Sequence, residues 1–453
     1  SNKGGKGDIS DGIKDIYKFL EIVEFISPKY WVMENVPRVA NIIEKLISPG
    51  GELERFREII DDIHVVDCSD YGLPQRRKRM LAGTFPYKNL KNFSTNSVSK
   101  NLKDVINSLK GNKIIDPNYD YSIDKKKLHD HEFEDYLDQE ELRINKEAKS
   151  FHRVYNIMPF PEPMNKTSRT ITAAETRVSR ESLIIDDGKG FRRLSNRERS
   201  VLQGFPITYQ FNAKSYSERQ KMIGNAIPPL LTYYIGCAIN KWDNSKAKKN
   251  KEMYVHKLPE TIPPPATRRS KTTKFRVNRR FRSAIPNLRF GSGVRFELAN
   301  EFYDDNVIWE VIFYYGNSKN YKSLILSKKE YLSMIEIFDL RDIKKLKKIE
   351  KSISSEFSNL RAVDVQKKWN HTINSGLSPF EIVDFIGAKV PDIIKILNSY
   401  DVGLIEKIIQ NIIIKNYKSD QTPAKFSFKK NMNIDKNVFA GLLISFWFYS
   451  LKL

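Results

Sequence analysis

The chain has 453 residues, enough for about three domains of ~150 residues each. Hydrophobic residues make up 40% and aromatic residues 11%, which excludes wholesale disorder; Lys and Arg outnumber Asp and Glu by 77 to 55, and the net charge of +22 points to a polyanionic partner. Two cysteines, Cys68 and Cys237, exclude a disulfide scaffold or a four-cysteine zinc site, and no run approaches the ~20 consecutive apolar residues of a membrane helix. The polar, glycine-rich opening SNKGGKGD has no apolar run behind it, so a cytoplasmic protein without a signal peptide is expected.

Residues 11–27 place Ile13, Ile16, Phe19, Leu20, Val23 and Ile26 on one face, the spacing of an amphipathic helix that stops at Pro28. Tyr30–Met33 is a short apolar run of the kind found in buried parallel strands. Helical stretches follow at 37–46 and 52–63, then apolar runs at 64–68 and 80–85. That alternation predicts an α/β domain with a parallel sheet. From Pro86 to about Arg192 no period is sustained. Helical spacing returns up to Trp242. Residues 243–282 read as a linker, stiffened by Pro263–Pro265, with eight basic residues and no acid between Arg268 and Arg282. Beyond Ile285, strands at 294–298, 307–315 and 322–326 precede helices that run to the C-terminus. His371 is the only histidine of this last unit and has no ligand spacing around it, so no metal site is expected.

Four segments carry chemistry. Glu34-Asn35-Val36 follows the first apolar run, at the carboxyl end of a strand, where α/β sheets gather ligands. Gln75-Arg76-Arg77-Lys78-Arg79 follows turn chemistry at Asp70–Pro74; alternation along an extended chain would put Gln75, Arg77 and Arg79 on one side. In Arg192–Pro206, Ser195 and Glu198 form a capping box, Gly204 closes the short helix, and Arg197 and Gln203 lie between. Gly224-Asn225-Ala226-Ile227-Pro228-Pro229 reads as a Gly-Asn turn ahead of a helix start.

In this order, the ENV, QxRxR, RxLSxRExxxLQGFP and GNAIPP segments resemble signature blocks of the C5-cytosine DNA methyltransferase family. Arg169–Ala173 (RTITA) resembles the lead-in to the third block. The resemblance covers about residues 1–240. It implies a partial S-adenosylmethionine-dependent methyltransferase sheet of Rossmann-like α/β class, with an inserted target-recognition region and an α+β C-terminal domain. It implies S-adenosyl-L-methionine as cofactor and double-stranded DNA as partner, with methyl transfer to C5 of a flipped cytosine in a restriction-modification setting. Glu34 matches the residue that holds and protonates the cytosine N3 side, Arg77 the one that contacts O2, and Arg79 stands in the same catalytic block. Asn225 and Ala226 match positions near the cofactor. Asn35, Gln75, Arg197, Glu198, Gln203, Gly204, Gly224 and Pro228 are the remaining motif positions.

The expected layout is catalytic residues 1–86, a recognition region 87–191, a return to the catalytic domain at 192–245, a basic linker 246–284 and an accessory domain 285–453. Two family elements are missing: no FxGxG loop follows a strand, and no Pro-Cys occurs. Ser1–Gly7 is similar to residues just downstream of the family's Pro-Cys-Gln loop. The expectation is therefore a fragment or split subunit, inactive and poorly soluble until it meets an N-terminal half. The alternative is a catalytically dead, sequence-specific DNA-binding protein. Cys68 ends an apolar run and Cys237 follows Ile235, so both are expected in the core.

Overall fold

The amphipathic pattern near the start becomes α1 (Ile9–Ile26), with Ile16, Leu20 and Val23 facing inward. The computed structural model describes residues 9–94, 100–119, 121–128, 134–150, 157–251, 276–290, 294–304, 306–317, 320–415 and 432–451. The chain divides into two units, one of residues 1–146 and 159–268, the other of 147–158 and 269–453. Most of the sequence-read linker lies outside the described residues.

In the first unit, β1 (Trp31–Asn35), α2 (Arg38–Leu46), β2 (Asp62–Asp67) and β3 (Lys78–Thr84) follow α1. The strand order is β1-β3-β2, and β3 runs antiparallel to both neighbours. This corrects the parallel sheet read from the sequence. The connection 68–77 is shorter than the dozen or so residues a parallel crossover needs, so β3 has to run back beside β2. The helical stretch read at 52–63 is only a 3₁₀ segment, Glu54–Ile59. One core holds α1, α2, Trp31, Met33, Phe56, Met80 and Ala82. A second holds Val66, Cys68, Leu73, Leu81 and Phe85.

Next come α3 (Tyr87–Lys91), α4 (Leu102–Ser108), the antiparallel pair β4 (Lys113–Ile115) and β5 (Ser122–Asp124), and α5 (Gln139–Ser150). The pair β6 (Ile184–Asp186) and β7 (Phe191–Arg193) leads to α6 (Asn196–Leu202), α7 (Tyr216–Asn225), α8 (Pro229–Ile239) and α9 (Asn244–Lys251). The aperiodic middle region does not fold apart from these helices. Leu102, Val105, Ile106, Ile114 and Ile123 share one core with Leu194, Val201, Leu202, Ile207 and Ile223. The stretch 216–239 is long and apolar enough to cross a membrane by length and composition alone. It is broken between α7 and α8, and Ile223, Leu230, Leu231 and Ile235 are buried in the protein's own cores.

The second unit contains β8 (Arg282–Arg289), β9 (Arg295–Tyr303), β10 (Asn306–Asn317) and β11 (Asn320–Leu324), antiparallel in the order β11-β10-β9-β8. Then follow α10 (Lys328–Ile335), α11 (Leu340–Phe357), α12 (Ala362–Trp369), α13 (Pro379–Leu397), α14 (Val402–Lys415) and α15 (Met432–Ser450). Trp309, Phe313 and Tyr315 of β10 are buried, and α13 and α15 pack on the sheet.

Candidate active site

Strand β1 carries Glu34 near its carboxyl end. Asn35 lies opposite Met80 of β3, so Arg79 falls one step beyond that pair and reaches back to Glu34. The Arg79 Nε stands 2.6 Å from Glu34 Oε1, and both side chains keep a little solvent access, 12% and 18%. A second Arg79 nitrogen donates to the Lys78 carbonyl at 2.7 Å, which fixes the guanidinium plane. Beside them, the Asn35 side chain accepts from Val36 N–H at 2.8 Å and shapes the turn into α2.

Arg77 does not share that position. The Asp67 carboxylate at the end of β2 accepts from the Ser69 and Arg77 backbone N–H groups, both at 3.1 Å, and so folds the connection back on itself. The Arg77 side chain is 2% exposed; it donates to the carbonyls of Ile171 (2.9 Å), Gly224 (2.8 Å) and Ala226 (3.2 Å). Burial pushes its pKa down to about 10, which leaves it charged at neutral pH. Both terminal nitrogens of Arg77, the arginine that the resemblance set on a cytosine edge, are thus engaged by backbone carbonyls, and the arginine paired with Glu34 is Arg79.

Gln75 and Arg77 reach toward the same neighbourhood, while Arg79 turns away. The Gln75 amide nitrogen donates to Leu202 O (3.2 Å) and Gln203 Oε1 (2.7 Å), and its oxygen accepts from Ile171 N–H at 2.8 Å. Gln203 in turn donates to the Ala226 carbonyl at 2.7 Å. One chain of buried hydrogen bonds thus joins the QxRxR segment, the RTITA segment, the end of α6 and the end of α7. Unpaired polar groups in such a network are costly, so it tolerates little displacement.

Helix α6 is set by the capping box read from the sequence. Ser195 Oγ accepts from Glu198 N–H, and Glu198 Oε2 accepts from Ser195 N–H. Glu198 also receives both terminal nitrogens of Arg192 at 2.9 Å. Buried Arg197 donates to the carbonyls of Ile207 and Tyr209, and Arg199 pairs with Glu175. Gly204, with φ at +87°, ends the helix.

Gly224 and Asn225 are the last residues of α7, not a free turn; Ala226 is extended and Pro228 caps α8. The reason for glycine is proximity. A Cβ at Gly224 would lie 2.4 Å from Ala173 N and Thr172 C. Asn225 is exposed at the helix end, and the Ala226 carbonyl is held by Arg77 and Gln203.

Neither cysteine is placed for chemistry. Cys68 is fully buried, and burial pushes its thiol up to about 12. Cys237 is buried on α8, and its thiol is raised for the same reason. A thiolate is the nucleophilic form, so both are inert at neutral pH.

The family model described as C-5 cytosine-specific DNA methylase matches residues 1–241. The chain belongs to the C-5 cytosine-specific DNA methylase family. Type II methyltransferase M.FnuDI of Fusobacterium nucleatum is 26% identical over 265 residues, covering 53% of this chain and 72% of that protein. Type II methyltransferase M.HindV of Haemophilus influenzae is 29% identical over 256 residues, covering 52% of this chain and 70% of that one. Among solved structures, the S. pombe Dnmt2 methyltransferase aligns over 53% of this chain and 74% of its own, with 14% identity and a TM-score of 0.33.

Two elements of this candidate site escaped the sequence reading. The Glu34–Arg79 pair depends on the register of antiparallel strands, which apolar runs do not encode. Asp67 was passed over as part of a strand; its position directly before the short turn Cys68–Tyr71 was the available signal.

Proposed function

We propose that this chain supplies the cytosine-holding part of a DNA (cytosine-5)-methyltransferase of a restriction-modification system, acting in the cytoplasm on double-stranded DNA. It would work with an N-terminal companion that carries the FxGxG loop and the Pro-Cys-Gln nucleophile. The carrying observation is the Glu34–Arg79 ion pair, partly open to solvent at the end of β1. In this reading the companion's thiolate adds to C6 of the flipped cytosine, a methyl group is bonded to C5, the C5 proton leaves, and the thiolate is expelled. Glu34 holds the N3 side and carries its proton, while Arg79 orients Glu34 and faces the ring carbonyl; charge developing on the ring meets groups already in place. Arg77 and Gln75 are positioning residues that hold the surrounding backbone. S-adenosyl-L-methionine supplies an electrophilic methyl group when bound; the exposed amide of Asn225, beside extended Ala226, fits a polar contact to it. Residues 87–191 would read the target sequence, and the three-stranded sheet would be one part of a larger Rossmann-like sheet.

Two features support a companion. Among the described residues, β1 pairs only with β3, so its other edge is open. Helix α1, packed on that sheet, exposes Ile22 (56%), Phe25 (90%) and Ile26 (63%).

The test is methyl transfer to duplex DNA by this chain with and without such a companion. Activity should need both. Glu34→Gln and Arg79→Ala should each lower the rate by about 10²–10³-fold, and Cys68→Ala should leave it unchanged. Sequence-specific DNA binding without methylation in any combination would favour the catalytically dead alternative instead.

A further inference from the structure

Residues 269–453 of the second unit lie outside the residues matched by the methylase family. Helix α11 of this unit carries a row of like charges. Leu346, Ile353 and Phe357 face inward. At 100° per residue, Arg341, Lys344, Lys348 and Lys351 fall on the opposite side of the helix, with Lys347 flanking them; all five are exposed. Among the described residues Lys344, Lys347, Lys348 and Lys351 form no ion pair, whereas Lys345, flanking the stripe on its other side, is paired with Asp342 at 2.6 Å. The acids of the helix lie elsewhere: Asp342 is buried, Glu350 is half-buried toward the core side, and Glu356 is in the last turn.

This arrangement works against the isolated helix. Lys344 with Lys348 and Lys347 with Lys351 are like charges at i,i+4, and three further i,i+3 pairs add to the repulsion. Among the described residues, Asp342 and Glu350 offset it only in part, by attracting Arg341 and Lys347. A polyanion would offset the rest, by neutralising the row and releasing its own condensed counterions. The row from Arg341 to Lys351 is about 15 Å long, which matches roughly four base-pair steps along one strand of a duplex.

We propose that the outward face of α11 is a docking surface for the phosphodiester backbone of duplex DNA, independent of base sequence. It holds the second unit on the same polymer that the methylase unit acts on. The proposal does not depend on methyl transfer, and its test does not read methylation.

The experiment measures binding of the full chain to a random-sequence duplex between about 50 and 200 mM salt. Lys344→Gln, Lys347→Gln, Lys348→Gln and Lys351→Gln combined should make the slope of log affinity against log salt shallower by about 3–4, since each released contact contributes ~0.9. The four Lys→Arg replacements should retain the parental slope. A control with the same loss of charge, Lys328→Gln, Lys329→Gln, Lys395→Gln and Lys407→Gln, should change it by less than about 1. The double variants Lys344→Gln/Lys348→Gln and Lys347→Gln/Lys351→Gln, each expected to remove about half the effect, keep the test readable if the quadruple variant does not fold. An unchanged slope in the α11 variant overturns the proposal, as does an equal loss in the control. Selective loss of binding to anionic phospholipid vesicles, with DNA binding intact, would assign the surface to a membrane and overturn it too.

Discussion

A single carboxyl group shows how burial ties the stability of the fold to pH. Asp116 is fully buried and accepts from the backbone N–H groups of Asn118 (2.8 Å) and Ile207 (2.7 Å), so it ties the middle region to the segment after α6. Burial outweighs these bonds and raises its pKa from 3.8 to about 6. The folded state then holds a proton between about pH 4 and 6 that the unfolded chain has released. Asp116 therefore stabilises the fold fully below about pH 4, and the contribution is lost as pH rises through 6. Between pH 4 and 7 the parent should lose up to about 3 kcal/mol more stability than an Asp116→Asn variant, whatever the variant's absolute stability. Urea unfolding of both proteins across that range measures it; parallel stability–pH curves would refute it.

Among elements, α7 makes a close backbone contact with the RTITA segment. Because the missing Cβ of Gly224 is what lets Thr172 and Ala173 approach, Gly224→Ala forces backbone against backbone. The expected loss is at least about 1–3 kcal/mol, read as a lower urea midpoint, with Arg77 and Gln203 pulled off the Ala226 carbonyl. Much at this scale was legible beforehand. The period of α1, the Ser195–Glu198 capping box and the order of the four blocks were all written in local spacing. The direction of β3 was not, because a strand buried on both faces reads alike in either direction. Gly224-Asn225 looked like a turn because glycine usually marks one, whereas here it marks a close approach inside a helix. The middle region had no period of its own because much of its apolar surface is shared with α6 and α7.

At the scale of the whole molecule, the family match covers most of the first unit, and among the described residues one edge of the sheet there, at β1, is unpaired. If α1 and the β1 edge receive a companion, Phe25→Glu should make the isolated chain more soluble and abolish companion-dependent methylation, leaving the unfolding midpoint within about 0.5 kcal/mol because Phe25 is 90% exposed. Pull-down with the companion and light scattering of the chain alone check both parts; a Phe25→Glu chain that still binds its companion fully would remove α1 from the interface. The charge of +22 also acquires an address. Part of it, Arg77, Arg192, Arg197 and Arg199, is buried and spent on internal bonds, and so offers nothing to DNA. The outward row on α11 is of the other kind.

The hydrogen bonds around Gln75 and Arg77 have a topological consequence. They join residues 75–77 to positions 168–171, 202–203 and 224–226, and Val66 to Phe93 share a core with Leu230 to Ala247. A nick just after Phe93 would sever the covalent path between the Glu34–Arg79 pair and α7, yet the bonds made by the Gln75 and Arg77 side chains all cross the cut. The two pieces would remain one folded body, so the continuity of the polypeptide at that point is not what keeps the site assembled.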